Sequence, residues 1–313
     1  MYHGVINVYK ESGFTSFDVV AKLRGILRQK KIGHTGTLDP EAEGVLVVCL
    51  GKATRLCEVL TDKDKSYEAT LLLGKRTDTE DSTGTVLSQQ EVSVSEQEVR
   101  EAILSFVGGY DQIPPMYSAI KVHGKKLYEL ARAGIEVERA PRHVMIHAIE
   151  IESMELPYVR FRISCGKGTY IRSLCRDIGD RLGCGGIMDK LVRDSVNATE
   201  TGRIFTKEDA LTLQQIEELE RAGSLEKYIL PIDSLFPKLE RRYVTTAGHK
   251  KLYNGNLLKA GDFAGDRSRQ GEDDSMICAD GTECLVYDEK GTFTAIYRYH
   301  ASIRAWKAAK MFL

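Results

Sequence analysis

The six residues Val45-Leu-Val-Val-Cys-Leu50 are apolar at every position, and they follow without a gap on Gly33-His-Thr-Gly-Thr-Leu-Asp-Pro-Glu-Ala-Glu-Gly44, a stretch with no periodicity. A strand that presents apolar side chains in both directions must be covered on both faces. The Gly, Thr, Asp and Pro before it are the residues of turns. Together the two segments predict a sheet enclosed between layers, with a loop bearing Asp39, Glu41 and Glu43 at the entrance to one inner strand.

Other segments fill in the sheet and its cover. Val5-Ile-Asn-Val-Tyr9 reads as a strand, and Thr15 with Asp18 three residues later is a capping-box signature for a helix from residue 16 carrying Phe17, Val20, Leu23 and Leu27. Tyr67, Ala69, Leu71 and Leu73 alternate with Glu68 and Thr70, as Val159, Phe161, Ile163 and Cys165 do with their neighbours, which is the period of half-buried strands. Ser95 and Glu98 open a further helix with Val99, Ile103 and Phe106 on one face. Gly166-Lys-Gly-Thr169 leads into a helix with Leu174, Ile178 and Leu182, which Gly183 ends. Strands and helices mix without a strict βαβ rhythm, so the fold class expected is α+β with a mixed sheet.

At 313 residues the chain exceeds what one core usually fills. Leu230-Pro-Ile-Asp-Ser-Leu-Phe-Pro237, with two prolines, is the expected boundary. Beyond it, short strands around Leu257 and over 276–278, 284–287 and 293–299 predict a small β-rich domain, and the Gly-Asp-rich stretch 261–275 a mobile loop. Seven cysteines without a Cys-x-x-Cys pair argue against a disulfide framework or a zinc ribbon. The N-terminal residues form no signal-peptide core, and the longest apolar run is far too short for a bilayer, so a cytoplasmic protein without a membrane partner is expected. Net charge is −1 and gives no hint of nucleic acid. Basic residues nevertheless cluster at Lys22, Arg24, Arg28, Lys30 and Lys31, at Arg160, Arg162, Lys167, Arg172 and Arg176, and at Lys238, Arg241 and Arg242, where either solvated faces or an RNA-facing surface would account for them.

Taken singly, the polar residues do not name a reaction. Asp39-Pro40 is a common turn starter, and His34 has no second ligand or triad partner at recognisable spacing. Gly166-Lys-Gly-Thr169 lacks the spacing of a nucleotide-triphosphate loop. Tyr170 and Arg172 pair an aromatic with a cation, one suited to stacking on a base and the other to holding a carboxylate or phosphate. A glycoside hydrolase would use Asp39 with Glu41 or Glu43, but such pairs flank a sugar, whereas these acids crowd one loop.

Read together, the motifs are specific. The segment Gly33 to Gly44 with Val45-Leu46, and in order Lys10-Glu-Ser-Gly-Phe-Thr-Ser16, Lys65-Ser-Tyr-Glu-Ala69, Leu73-Gly-Lys-Arg-Thr-Asp-Thr-Glu-Asp-Ser-Thr-Gly-Thr-Val86, Pro114-Pro-Met-Tyr-Ser-Ala-Ile-Lys121 and Gly168-Thr-Tyr-Ile-Arg172, closely resemble the TruB family of pseudouridine synthases. The likeness covers residues 2 to about 210, and Gly281 with Gly291-Thr-Phe-Thr-Ala-Ile296 looks like part of a PUA domain. Two departures stand out: Glu11 where the family usually has Pro, and a less basic segment over 191–202.

The resemblance implies a synthase domain over 1–236, with an insertion over about 76–145, and a PUA-like RNA-binding domain over 238–313. It implies a monomer that isomerises one uridine in the TψC arm of tRNA and needs no cofactor or metal. By the same resemblance Asp39 is the nucleophile, Tyr67 the residue that stacks on the target base and Arg172 the partner of that aspartate. His34 pushes into the RNA loop as bases flip, Tyr170 and Leu191 line the uridine pocket, and Lys10 lies beside it. A non-catalytic RNA-folding chaperone on the same fold is the alternative, and a guide-RNA-dependent relative is set aside by the insertion and the lack of a basic tail.

Overall fold

The computed structural model describes residues 1–61, 64–122, 124–198, 203–264 and 278–313. In chain order its elements are β1 (Gly4–Lys10), α1 (Ser16–Ile26), β2 (Ile32–His34), β3 (Glu43–Leu50), α2 (Cys57–Thr61), β4 (Asp64–Leu73), β5 (Lys75–Thr77), β6 (Val86–Gln89), α3 (Glu96–Leu104), β7 (Gly108–Gln112), β8 (Lys121–Val122), β9 (Lys125–Lys126), α4 (Leu127–Arg132), β10 (Arg142–Glu155), β11 (Tyr158–Cys165), α5 (Ile171–Arg181), β12 (Gly186–Ala198), β13 (Arg203–Thr206), α6 (Leu213–Arg221), β14 (Glu240–Tyr243), α7 (Thr246–Tyr253), β15 (Glu283–Tyr287), β16 (Phe293–His300) and β17 (Ala305–Met311). The main sheet runs β1-β3-β12-β4-β11-β10-β7, with β2 on β3 and β13 on β12. It is mixed, as expected: β12 runs parallel to β3 and antiparallel to β4.

Strand β3 shows why its sequence is unbroken. Val45, Val47 and Cys49 enter one core with Val5, Val196 and Phe205, while Leu46, Val48 and Leu50 enter another with Val19, Val20 and Leu23 of α1 and Ile216 of α6. A third core joins Ala69, Leu71 and Leu73 of β4 to Phe161 of β11, Leu174 and Ile178 of α5 and Val99 and Ile103 of α3. Both capping boxes form, at Thr15/Asp18 and Ser95/Glu98, and Gly183 follows α5 at φ +72°. Phe17 departs from the expected stripe: it is exposed, and Val19 takes its place on the inner face of α1.

The second sheet, β14-β15-β16-β17, packs Leu285, Tyr287, Ile296 and Phe312 against the β3 side of the main sheet, so a shared core spans the proline-bounded segment. The strand expected at Leu257 is instead a single bridge from Leu258 to Trp306. Of the expected strand over 276–278 only Cys278 is described, outside any strand, and of the loop expected over 261–275 the residues 265–275 lie outside the described residues. No described helix is long and apolar enough to cross a membrane.

Candidate active site

The loop carrying Asp39 is held from three sides. Ser16, the first residue of α1, gives its Oγ to both backbone atoms of Leu38, accepting from N at 2.9 Å and donating to O at 3.2 Å. The Lys10 ammonium, wholly buried, donates to the carbonyls of Pro40 at 2.8 Å and Glu11 at 3.0 Å, and Gly13 N donates to the same Pro40 carbonyl. On the third side lies Arg193 of β12, 2 % exposed, donating to the carbonyls of Val45 (2.6 Å), Gly36 (3.1 Å) and Thr37 (3.5 Å). The segment Lys10 to Ser16 thus serves as a cradle for Leu38 and Pro40.

Asp39 meets Arg172 through two bonds, Nε to Oδ2 at 2.9 Å and Nη2 to Oδ1 at 3.1 Å, the geometry that a planar guanidinium makes with a carboxylate. Arg172, in the first turn of α5, also donates to the carbonyls of Thr79 and Tyr117 and lies 3.7 Å from Asp81. Asp81 is itself fixed by Thr79 and Thr83. Glu80 beside it accepts from Ser173 and pairs with Arg176, so the turn between β5 and β6 clamps α5.

These groups open on a cavity of about 650 Å³ lined by Asp39, Tyr67, Tyr170, Arg172, Leu191 and Arg193, with Lys65, Arg142 and Lys167 among its other walls. That volume falls in the range of small-ligand sites. Tyr67 comes from β4, opposite Arg193 in register, and Leu191 from β12 opposite Ala69. Tyr170 caps α5, its backbone N and O both bonded to the Gln112 side chain. Lys10 and His34 are not among the cavity walls: Lys10 lies behind the loop, and His34 stands half-buried at its start, with Nδ1 facing Gly36 N at 3.4 Å.

Of the three loop acids only Asp39 faces the cavity. Glu41 accepts from Ser12 Oγ and Glu43 from the Tyr9 hydroxyl, so no opposed carboxylate pair forms there. Burial pushes the Asp39 carboxyl above its ordinary 3.8, Asp81 adds to the rise, and Arg172 and Lys10 oppose it without cancelling it. Arginine pairing alone would have held it low; the protein packed around the carboxyl outweighs it, although the side chain keeps 36 % of its surface open to the cavity. Burial also raises the Tyr67 phenol to about 12, against the opposing Arg193 charge, and lowers Lys10 to about 8.

The chain matches two family models: TruB family pseudouridylate synthase (N-terminal domain) over residues 24–171 and tRNA pseudouridylate synthase B C-terminal domain over 172–237. A curated tRNA pseudouridine synthase B from Lachnoclostridium phytofermentans is 53% identical, covering 99% of this chain and all of that one. The chain belongs to the TruB family. A tRNA pseudouridine synthase B from Listeria monocytogenes is 42% identical across 99% of this chain and 98% of its own length. Among solved structures, a chain of a Cbf5-Nop10-Gar1 complex is 26% identical with a TM-score of 0.68, covering 99% of this chain and 85% of that one. A chain of an H/ACA RNP bound to a substrate RNA is 25% identical with a TM-score of 0.66 and the same coverage. The two family models meet between Ile171 and Arg172, so the cavity draws Asp39 and Tyr67 from one and Arg172, Leu191 and Arg193 from the other.

The expected basic surface over 160–176 is largely neutralised. Arg160 and Arg162 both pair with Glu68 and Glu152 on neighbouring strands, and Arg172 and Arg176 are spent on Asp39, Glu80 and Asp177. Lys207, Arg162 and Arg160 hold the Glu68 carboxyl down to about 2, against the upward push of its own burial. Because the folded value lies below the ordinary 4.5, this stabilisation is fully present above pH 4.5 and is lost as pH falls toward 2. Glu68→Gln should lower stability by about 1–3 kcal/mol at neutral pH. In urea titrations, its deficit against the unaltered chain should shrink as the medium is acidified through that window.

Proposed function

We propose that this chain isomerises a uridine of the tRNA TψC arm to pseudouridine, with Asp39 as the nucleophile. The observation that carries the reading is the forked Asp39–Arg172 pair at a cavity also walled by Tyr67 and Leu191, in a chain of the TruB family. The carboxylate forms a covalent adduct with the nucleoside as the C1′–N1 bond breaks. The detached uracil, confined between Tyr67 and Leu191, turns until C5 faces C1′; the new carbon–carbon bond forms as the bond to Asp39 breaks and the carboxylate is released, and the C5 proton passes to water while N1 takes one up, so that the net change is an isomerisation. At about 12, the Tyr67 hydroxyl stays protonated near neutrality, so its part is to stack and to donate a hydrogen bond.

The target must leave its folded RNA arm, at a cost of a few kcal/mol in unstacking. His34 suits the vacated position: burial first and then Arg193 lower its pKa, so near neutrality it enters as an uncharged flat ring. Lys65, Arg142 and Lys167, which line the cavity, supply phosphate contacts, and the affinity is salt-dependent. Residues 1–236 form the catalytic unit, 238–313 the PUA-like RNA-binding unit, and the protein works as a cytoplasmic monomer without a cofactor. A chaperone without chemistry gives the Asp39–Arg172 fork at the cavity wall no task.

An unmodified tRNA transcript incubated with the chain should gain one carbodiimide-dependent primer-extension stop, in the TψC arm. Stops elsewhere, or none, would overturn the assignment. The rate depends on ionised Asp39, so under single-turnover conditions it should fall as pH drops through a value above 3.8 and be full on the alkaline side of it.

A further inference from the structure

We propose that Arg193 is a positioning residue for this reaction: its buried guanidinium joins the loop of Asp39 to Tyr67 and fixes both against the flipped base. The inference rests on the reading of Asp39 as nucleophile and adds a residue that the motifs did not single out.

Arg193 sits where three parts of the site meet. Its Nε and both Nη atoms are directed at the carbonyls of Val45, Gly36 and Thr37, which belong to the start of β3 and to the loop that ends at Asp39. Across the sheet it is in register with Tyr67 on one side and Gly44 on the other, and its charge acts on the Tyr67 phenol, opposing the rise in its pKa. The approach to Gly44 is so close that a Cβ there would lie 2.2 Å from the Arg193 carbonyl oxygen, and Gly44 has φ +102°. Strand β12 is therefore locked to the base of the loop.

No carboxylate among the described residues lies within ion-pair distance of Arg193, although the residue is 2 % exposed and its burial lowers its pKa. For packing alone, an apolar side chain of similar volume would avoid that desolvation. What the guanidinium adds is direction. Arginine only donates, so toward the Tyr67 oxygen beside it the guanidinium can act only as a donor, which leaves the phenol its own proton to give elsewhere. Tyr67 and Arg193 both line the cavity, so that proton is available to a base held there.

The test uses the full chain with Arg193→Lys and Arg193→Met, read as single-turnover rate at saturating tRNA transcript, tRNA affinity and thermal midpoint. A misplaced loop should reduce the saturated rate by about 10²-fold while affinity stays near that of the unaltered chain. Lysine, which keeps one donor, should recover part of what methionine loses. Tyr67→Phe added to Arg193→Lys should cost less than the product of the two separate losses, because Arg193 acts partly through the phenol. A saturated rate equal to that of the unaltered chain, affinity falling in step with rate, or failure of both variants to fold would assign Arg193 to the scaffold and overturn the proposal. Asp39→Asn, run alongside on the same transcript, separates the two failures: if it turns over, the nucleophile reading falls, and if it is inactive while Arg193→Lys is not, only this inference falls.

Discussion

Asp39→Asn should bring pseudouridine formation down by about 10⁴-fold or more while leaving the protein folded and able to bind tRNA. The amide has the shape of the carboxylate and still offers an oxygen to Arg172, but it cannot form the covalent adduct. Arg172 would keep the carbonyls of Thr79 and Tyr117 and the nearby Asp81, so its charge would not be stranded. The loop would keep its Ser16, Lys10 and Arg193 bonds, none of which involves the Asp39 side chain. A carbodiimide time course on one transcript gives the rate, and thermal melting with filter binding shows that the loss is chemical. Turnover within tenfold of the unaltered chain would remove Asp39 from the mechanism.

Arg172→Lys should lower the same rate by about 10²–10³-fold. An ammonium at this position is a point charge and cannot grip two Asp39 oxygens while also reaching Thr79 and Tyr117, as the 5 % exposed guanidinium does. Arg172→Met goes further in two measurable ways. It leaves Asp39 and Asp81 facing each other without their shared cation, so the acid limb of the rate profile should move to higher pH, because Arg172 is the strongest influence now opposing the rise in the Asp39 pKa. It should also destabilise the fold by about 1–3 kcal/mol, less than for a fully buried pair because the Asp39 side chain is 36 % exposed and can be solvated from the cavity. An acid limb that stays in place in Arg172→Met would show that the pair does not control the ionisation of Asp39.

The parts of the fold that were legible in the sequence are those where local pattern and tertiary role coincide. Strand β3 is apolar throughout because alternate residues feed different cores, and the caps of α1 and α3 are local hydrogen-bond devices written in four residues each. Helix α7 was not legible, since Leu252 is its one buried large apolar side chain and Gly248 interrupts its propensity. Nor was β14, whose Glu240-Arg-Arg-Tyr243 sequence becomes a strand through its parallel partner β15.

At the site, the acidic loop, Tyr67, Arg172 and Leu191 were all placed by motif, but the net direction of the Asp39 shift was not. It depends on desolvation, which a sequence does not display. Arg160 and Arg162 looked like a phosphate-binding cluster because Glu68 and Glu152, which neutralise them, are distant in sequence and adjacent only across strands. The sole hint of Arg193 was a basic residue just after two apolar ones in a strand-forming run, too weak to suggest a buried guanidinium spanning loop and tyrosine.

The most direct measurement is the structure of the chain with a TψC-arm hairpin bound, trapped with Asp39→Asn. The target uracil should be turned out of the RNA and lie against Tyr67, with its reacting carbon about 3–3.5 Å from the side chain at position 39. A displaced uracil seated beyond reach of that loop, next to a different acid, would contradict the account.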